Sequence, residues 1–220
     1  MTRTPTLVLT RPIVASERIA RLYDGPVVVS PVLQIVGTDA SIRLSGYAGV
    51  ILTSANAIPF LPDLHGVPAY VVGQETAAAC QADVRLVARD ADDLVSRVTA
   101  RGPLLHLCGR ETRGDIAHRL SSAGIGTDSV VIYEQRAQDL TEDAKALIEN
   151  GEAVILPLWS PRSAQLVGRQ IKTISPGVRV IAFSPAVAKA WFDETGGDCV
   201  TCAEPTREEM LRQVDVAKVG

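Results

Sequence analysis

The sequence predicts an α/β protein of two lobes, each a parallel sheet of about five strands flanked by helices, joined by a two-stranded linker. Three observations carry that reading. Short apolar runs alternate with helix-like stretches along the chain, the grammar of parallel sheets covered on both faces. The apolar runs number about ten, many for one sheet in 220 residues. One strand–hydroxyl–helix unit also occurs twice, about a hundred residues apart.

The later copy is residues 153–167, AVILPLWSPRSAQLV. It opens as an apolar strand and switches at Ser160-Pro161 to a helical pattern. Ser160 suits the N-cap, and Pro161 suits the first helical position, where its missing N–H costs nothing. The earlier copy, residues 49–61, GVILTSANAIPFL, changes over at Thr53-Ser54. A site built at both turns would lie between the two halves.

The remaining elements follow in order. Residues 6–10 read as a strand, 15–22 as a helix and 26–30 as a strand. Residues 31–36 continue extended, and Pro31 marks a connector or edge. Then come strand 48–53, short helix 54–60, strand 69–72, helix 74–80, strand 84–87, helix 92–99, strand 104–107, helix 112–122 and strand 129–133. The last block reads as helix 142–150 capped by Gly151, strand 153–158, helix 161–171, strand 178–183, helix 185–195, strand 198–202 and helix 206–214. Asp92 and Glu208/Glu209 favour helix starts, and Thr206 suits a cap. The extended segments near 31–36 and 129–134 bracket the middle block. Lobe 1 is therefore expected from residues 1–35 plus 134–220, with lobe 2, residues 36–133, inserted.

Composition excludes several classes. Hydrophobic residues make up 46% and charged residues 21%, ordinary for a globular protein. The net charge of −3 speaks against general nucleic-acid binding. No apolar run is long enough to span a bilayer, and the opening MTRTPTLVLTRP is too short in apolar length for a signal peptide, so a cytoplasmic location is expected. Cys199-Val-Thr-Cys202 has C-x-x-C spacing but no matching second pair, and it sits in a strand pattern, so it reads as structural. The phosphate-loop, zinc-protease and nucleophile-elbow motifs are absent, so no metal and no cofactor are expected.

Ligands of open parallel sheets bind beyond the carboxyl ends of the strands. Those ends carry Thr10-Arg11, Thr53-Ser54, Gly73-Gln74, Cys108-Gly109-Arg110, Ser160-Pro161-Arg162 and Ser184-Pro185. They are mostly small, hydroxylic or basic, and several precede helix starts, where free N–H groups receive anions. The set points to a pocket for a polyanionic small molecule. Among the histidines, His106 lies in an apolar strand and reads as core, while His65 and His118 read as surface. No acid–base dyad emerges.

The motifs resemble the uroporphyrinogen-III synthase family. The matching stretches are LVLTRP at 7–12, VILTSANAI at 50–58, VVGQETAAA at 71–79, LLHLCGRETRGDIAHRL at 104–120, VVIYEQRA at 130–137, SPRSA at 160–164, VIAFSPAVAKA at 180–190 and AEPTREEML at 203–211. The resemblance covers almost the whole chain in order. It implies two α/β lobes with the middle one inserted. It also implies a substrate, hydroxymethylbilane, a linear tetrapyrrole with eight carboxylates. The family reaction removes the terminal hydroxyl as water. The last ring then attacks through its substituted carbon, and a spiro intermediate recloses with that ring inverted, giving the type III macrocycle. Unassisted closure gives type I.

On this resemblance Tyr133 is the proton donor to the departing hydroxyl. Thr10, Arg11, Thr53, Ser54, Asn56, Gly73, Gln74, Gly109, Arg110, Ser160, Arg162 and Ser184 are the substrate-binding set. A monomer, with transient contact to the preceding pathway enzyme, is the expected assembly. Competing readings are a cytosolic two-lobed binding protein or sensor for a polyanionic small molecule, and an inactive synthase-like partner module.

Overall fold

The computed structural model describes residues 4–112 and 114–219. Residues 1–3, Arg113 within the expected helix 112–122, and Gly220 lie outside the described residues. The chain divides into two compact units, one from Met1–Gln34 with Arg136–Gly220 and the other from Ile35–Gln135.

Lobe 1 holds β1 (Thr6–Leu9), α1 (Ile13–Ala20) and β2 (Val27–Val29). The middle segment adds β3 (Leu33–Gly37), β4 (Gly49–Leu52), a 3₁₀ turn (Ala55–Phe60), β5 (Pro68–Val72), α2 (Gln74–Ala79), β6 (Asp83–Ala88), α3 (Ala91–Arg97), β7 (Leu104–Gly109), α4 (Ile116–Ser122) and β8 (Thr127–Ala137). Lobe 1 resumes with α5 (Glu142–Asn150), β9 (Val154–Leu158), α6 (Pro161–Gly168), β10 (Val178–Ala182), α7 (Pro185–Thr195), β11 (Val200–Thr201) and α8 (Arg207–Val219).

The lobe 1 sheet is parallel, with order β11-β10-β9-β1-β2. Its central strands are apolar on both sides because helices cover both faces. Val8, Leu156, Leu158, Val167, Val187 and Trp191 fill one layer. Leu7, Leu9, Ile155, Ile181 and Met210 fill the other.

The second sheet has order β3-β8-β7-β4-β5-β6. Strands β4 to β8 pair in parallel. Thr38 N–H donates to the Ile132 carbonyl and Gln138 N–H to the Val32 carbonyl, so β3 runs antiparallel to β8. The two linker strands thus pair with each other and also form one edge of this sheet.

Local differences from the sequence reading have physical causes. Helix α1 starts at Ile13, two residues early, because Pro12 (φ −48°) takes the cap position. Helix α4 starts at Ile116 instead of 112, because Gly114 (φ +89°) and Asp115 (φ +40°) turn the chain left-handed and Thr112 bonds back to the Gly109 carbonyl. Gly151 is the C-cap of α5 as expected, its N–H donating to the Leu147 carbonyl at 2.8 Å, with an extended backbone (φ −69°, ψ 144°). Helix α8 runs to Val219, five residues past the expected end.

Candidate functional site

In each sheet two neighbouring strands send the chain in opposite directions, and ligands of such sheets bind beyond the carboxyl ends of these strands. In the second lobe this point lies between β4 and β7, since β5 and β6 follow β4 outward while β8 lies beyond β7. Thr53 and Ser54 follow β4; Gly109 ends β7 and Arg110 follows it. Ser54 caps the 3₁₀ turn, its Oγ accepting the Asn56 N–H at 3.2 Å. The Asn56 assignment thus includes its backbone N–H as part of the cap.

The Thr53 hydroxyl lies 3.2 Å from His106 Nε2. Residue 106 sits on β7 opposite Ile51, and Thr53 is two residues beyond Ile51 on the same face. His106 is only 2% exposed, and burial pulls its pKa down to about 4, so the imidazole is neutral at physiological pH.

Tyr133 is 6% exposed and is the last β8 residue in register with β7, opposite Gly109. It was expected at the end of its strand, but β8 runs on to Ala137. A Cβ on Gly109 would lie 2.5 Å from Tyr133 Cζ, so the buried glycine is a seat for the tyrosine ring. The Phe60 ring stacks near it, 6.2 Å between centroids. Burial pushes the Tyr133 phenol above the usual tyrosine value, and the Ser54 side chain works against that shift. The phenol is protonated at neutral pH.

Arg110 is exposed, and its Nε donates to Glu134 Oε2 at 2.9 Å, so part of its charge is already met. Gly73 (φ +82°) makes the turn into α2, a conformation that suits glycine, and Gln74 is the exposed first residue of that helix. Both stand beyond β5, next to β4 in the sheet.

In lobe 1 the corresponding point lies between β1 and β9, with β10 beside β9. The three strand ends lead into Thr10-Arg11, Trp159-Ser160 and Phe183-Ser184. Ser160 caps α6: its Oγ accepts the Ser163 N–H at 3.1 Å and lies 2.8 Å from the Ser163 hydroxyl, with Pro161 first in the helix. Arg162 is the second residue of α6 and half-buried. Ser184 is the cap residue of α7 with no side-chain capping bond.

Arg11 lies over the Trp159 ring, 4.4 Å from its centroid, and Phe183 is tilted against the same indole at 5.3 Å. The buried Ser16 hydroxyl donates to the Arg11 carbonyl at 2.8 Å and shapes that turn. Thr10 Oγ1 and Trp159 Nε1 are buried without a hydrogen-bond partner among the described residues.

The topology therefore groups Thr53, Ser54, Gly109, Arg110 and Tyr133 in one lobe, and Thr10, Arg11, Ser160, Arg162 and Ser184 in the other. His106 is a core residue, as its apolar strand predicts, while its contact with Thr53 and the packing of Phe60, Trp159 and Phe183 beside the candidate residues were not foreseen from sequence. The signal for His106 was a polar residue inside an otherwise apolar run; its contact with Thr53 depends on register. The four cysteines are free thiols, and burial raises the pKa of both Cys199 and Cys202. Among the described residues no His/Cys/Asp/Glu cluster could hold a metal, and no helix is long and apolar enough to cross a membrane.

One parallel sheet and one mostly parallel sheet, with hydroxyls, arginines and helix starts following their carboxyl strand ends, define the chain as an α/β protein. The chain matches the family described as uroporphyrinogen-III synthase HemD over residues 15–212, and it belongs to that family. Its function is the family's, synthesis of uroporphyrinogen III in tetrapyrrole biosynthesis. The fold is similar to uroporphyrinogen-III synthetase of Helicobacter pylori 26695, with TM-score 0.70 and 19% identity over 98% of this chain and 99% of that one. It is also similar to a mutant uroporphyrinogen III synthase of Thermus thermophilus, with TM-score 0.53 and 14% identity over 97% and 98%. No curated protein matches the chain significantly by sequence. Nothing favours the sensor reading.

Proposed function

We propose that the reaction is a cyclising dehydration of hydroxymethylbilane, a lyase step, with Tyr133 as the acid that protonates the departing hydroxyl. Loss of water leaves an azafulvene. The last ring attacks it through the substituted carbon, and the spiro intermediate fragments and recloses inverted. The observation that carries the reading is a buried phenol, protonated at neutral pH, seated on Gly109 beside Ser54. General-acid assistance is commonly worth about 10²–10⁴-fold, and the low end suffices because the azafulvene forms readily.

The substrate's carboxylates are received at the strand ends of each lobe. Thr10, Arg11, Ser160, Arg162 and Ser184 serve in lobe 1. Thr53, Ser54, Asn56, Gly73, Gln74 and Arg110 serve in lobe 2, and Gly109 acts by seating Tyr133. Single contacts of a carboxylate with a helix start are worth about 0.3–1 kcal/mol, so several act together. Catalysis is then mainly orientation of a reactive substrate. The test is incubation with freshly made hydroxymethylbilane and separation of the uroporphyrin isomers. Predominant type III product supports the reading; type I alone, at the unassisted rate, overturns it.

A further inference from the structure

We propose that His106 is a positioning residue that holds the Thr53 hydroxyl as a hydrogen-bond donor toward a substrate carboxylate. The inference rests on the proposed carboxylate-binding role of Thr53. It goes beyond that role in assigning a tautomer and a direction of hydrogen bonding.

A carboxylate only accepts hydrogen bonds, so Thr53 can serve it only by donating its single O–H. A neutral imidazole carries one N–H and one bare nitrogen. His106 is kept neutral by burial. Its Nε2 is 3.2 Å from Thr53 Oγ1. If Nε2 is bare, it takes the Thr53 proton and turns only lone pairs toward an incoming anion. If Nε2 carries the proton, it donates to Thr53 Oγ1 and leaves the hydroxyl hydrogen for the ligand. An anion therefore selects the Nε2–H tautomer. The β4–β7 pairing, with Ile51 opposite His106, fixes the ring against Thr53. The histidine is thus a polar residue in a fully buried strand whose visible partner is a site hydroxyl.

The experiment measures product affinity by calorimetry for Thr53→Val, His106→Phe, His106→Gln and the Thr53→Val/His106→Phe pair. It also reads the His106 ring nitrogens by ¹⁵N NMR with and without product. Thr53→Val and His106→Phe should each weaken binding about three- to tenfold, the worth of one hydrogen bond. The double variant should be no weaker than Thr53→Val alone. His106→Gln can place an amide N–H near Nε2 and should recover most of the loss. With product bound, the NMR spectrum should show Nε2 protonated and Nδ1 bare. Full additivity of the two losses, or a bare Nε2 in the complex, overturns the positioning role while leaving Thr53 as a ligand. Unchanged affinity in Thr53→Val overturns the underlying reading and the inference with it. Should His106→Phe misfold, the His106→Gln variant and the NMR spectrum still decide.

Discussion

Replacing Gly109 by alanine should cost activity far more than it costs stability. The added Cβ would lie 2.5 Å from Tyr133 Cζ, 2.6 Å from Cε2 and 2.8 Å from the phenol oxygen. Ordinary contact begins near 3.4 Å. The ring must therefore retreat by about 1 Å, and the backbone cannot easily follow, since the Arg110 N–H donates to the Tyr133 carbonyl at 2.9 Å. Overpacking of this kind costs about 1–3 kcal/mol. At this chain length each kcal/mol lowers Tm by about 2–4 °C. Displacement of a reacting group by about 1 Å can cost about 10²-fold in rate. The assay is the initial rate of type III formation and the III-to-I ratio at fixed substrate supply, with a thermal melt alongside. A destabilised Gly109→Ala variant with wild-type rate and isomer ratio would refute the link between the seat and the chemistry. An unchanged melt would show that the ring does not rest on residue 109.

Tyr133→Phe keeps the ring and removes the acid. It should slow conversion by about 10²-fold or less and raise the share of type I product, and a folded variant with normal rate and ratio removes the proton-donor role. Ser160→Ala loses the acceptor of the Ser163 N–H. It should cost about 0.5–2 kcal/mol in denaturant melts and weaken product binding by calorimetry; unchanged affinity moves the anion site away from α6. His106 makes stability depend on pH. Its folded pKa lies near 4 against an ordinary 6.5, so between these values the unfolded chain binds the extra proton. Stability attributable to this residue is intact above 6.5, falls as pH drops toward 4, and loses about 3 kcal/mol in all. Denaturant melts of His106→Gln should lack that slope, and equal slopes in the two proteins would contradict it.

Much of the fold is written locally. Helix α7 begins at Pro185 and ends at Thr195, as Ser184-Pro185 and the glycines at 196–197 require. Where the reading failed, local rules had competitors. Thr112 looked like a helix residue until the left-handed turn at Gly114 and Asp115 claimed the segment. The polar run Glu134-Gln135-Arg136 hid the length of β8, because an edge-pairing strand needs no apolar alternation there.

The site divides the same way. Strand ends are legible, so the changeovers at Thr53-Ser54 and Ser160-Pro161 could be placed, with Ser160 as the cap of its helix. Pairing register is not legible, and it alone brings His106 to Thr53 and Tyr133 onto Gly109. A register shift between Cys108 and Gly109 adjusts the second meeting, and no periodicity announces a shift of one residue.

The insertion of residues 35–135 into lobe 1 has a consequence for how the chain is made. Strand β1 pairs with β9, which leaves the ribosome about 150 residues later. Strands β4, β5, β6 and β7 all lie within residues 49–109 and find one another early. The middle lobe can therefore complete its sheet while β1, apolar on both faces, has only β2 beside it. Strand β1 is made before the middle lobe yet gains its second neighbour only after that lobe's strands are complete, and during that interval its open edge is exposed to mispairing.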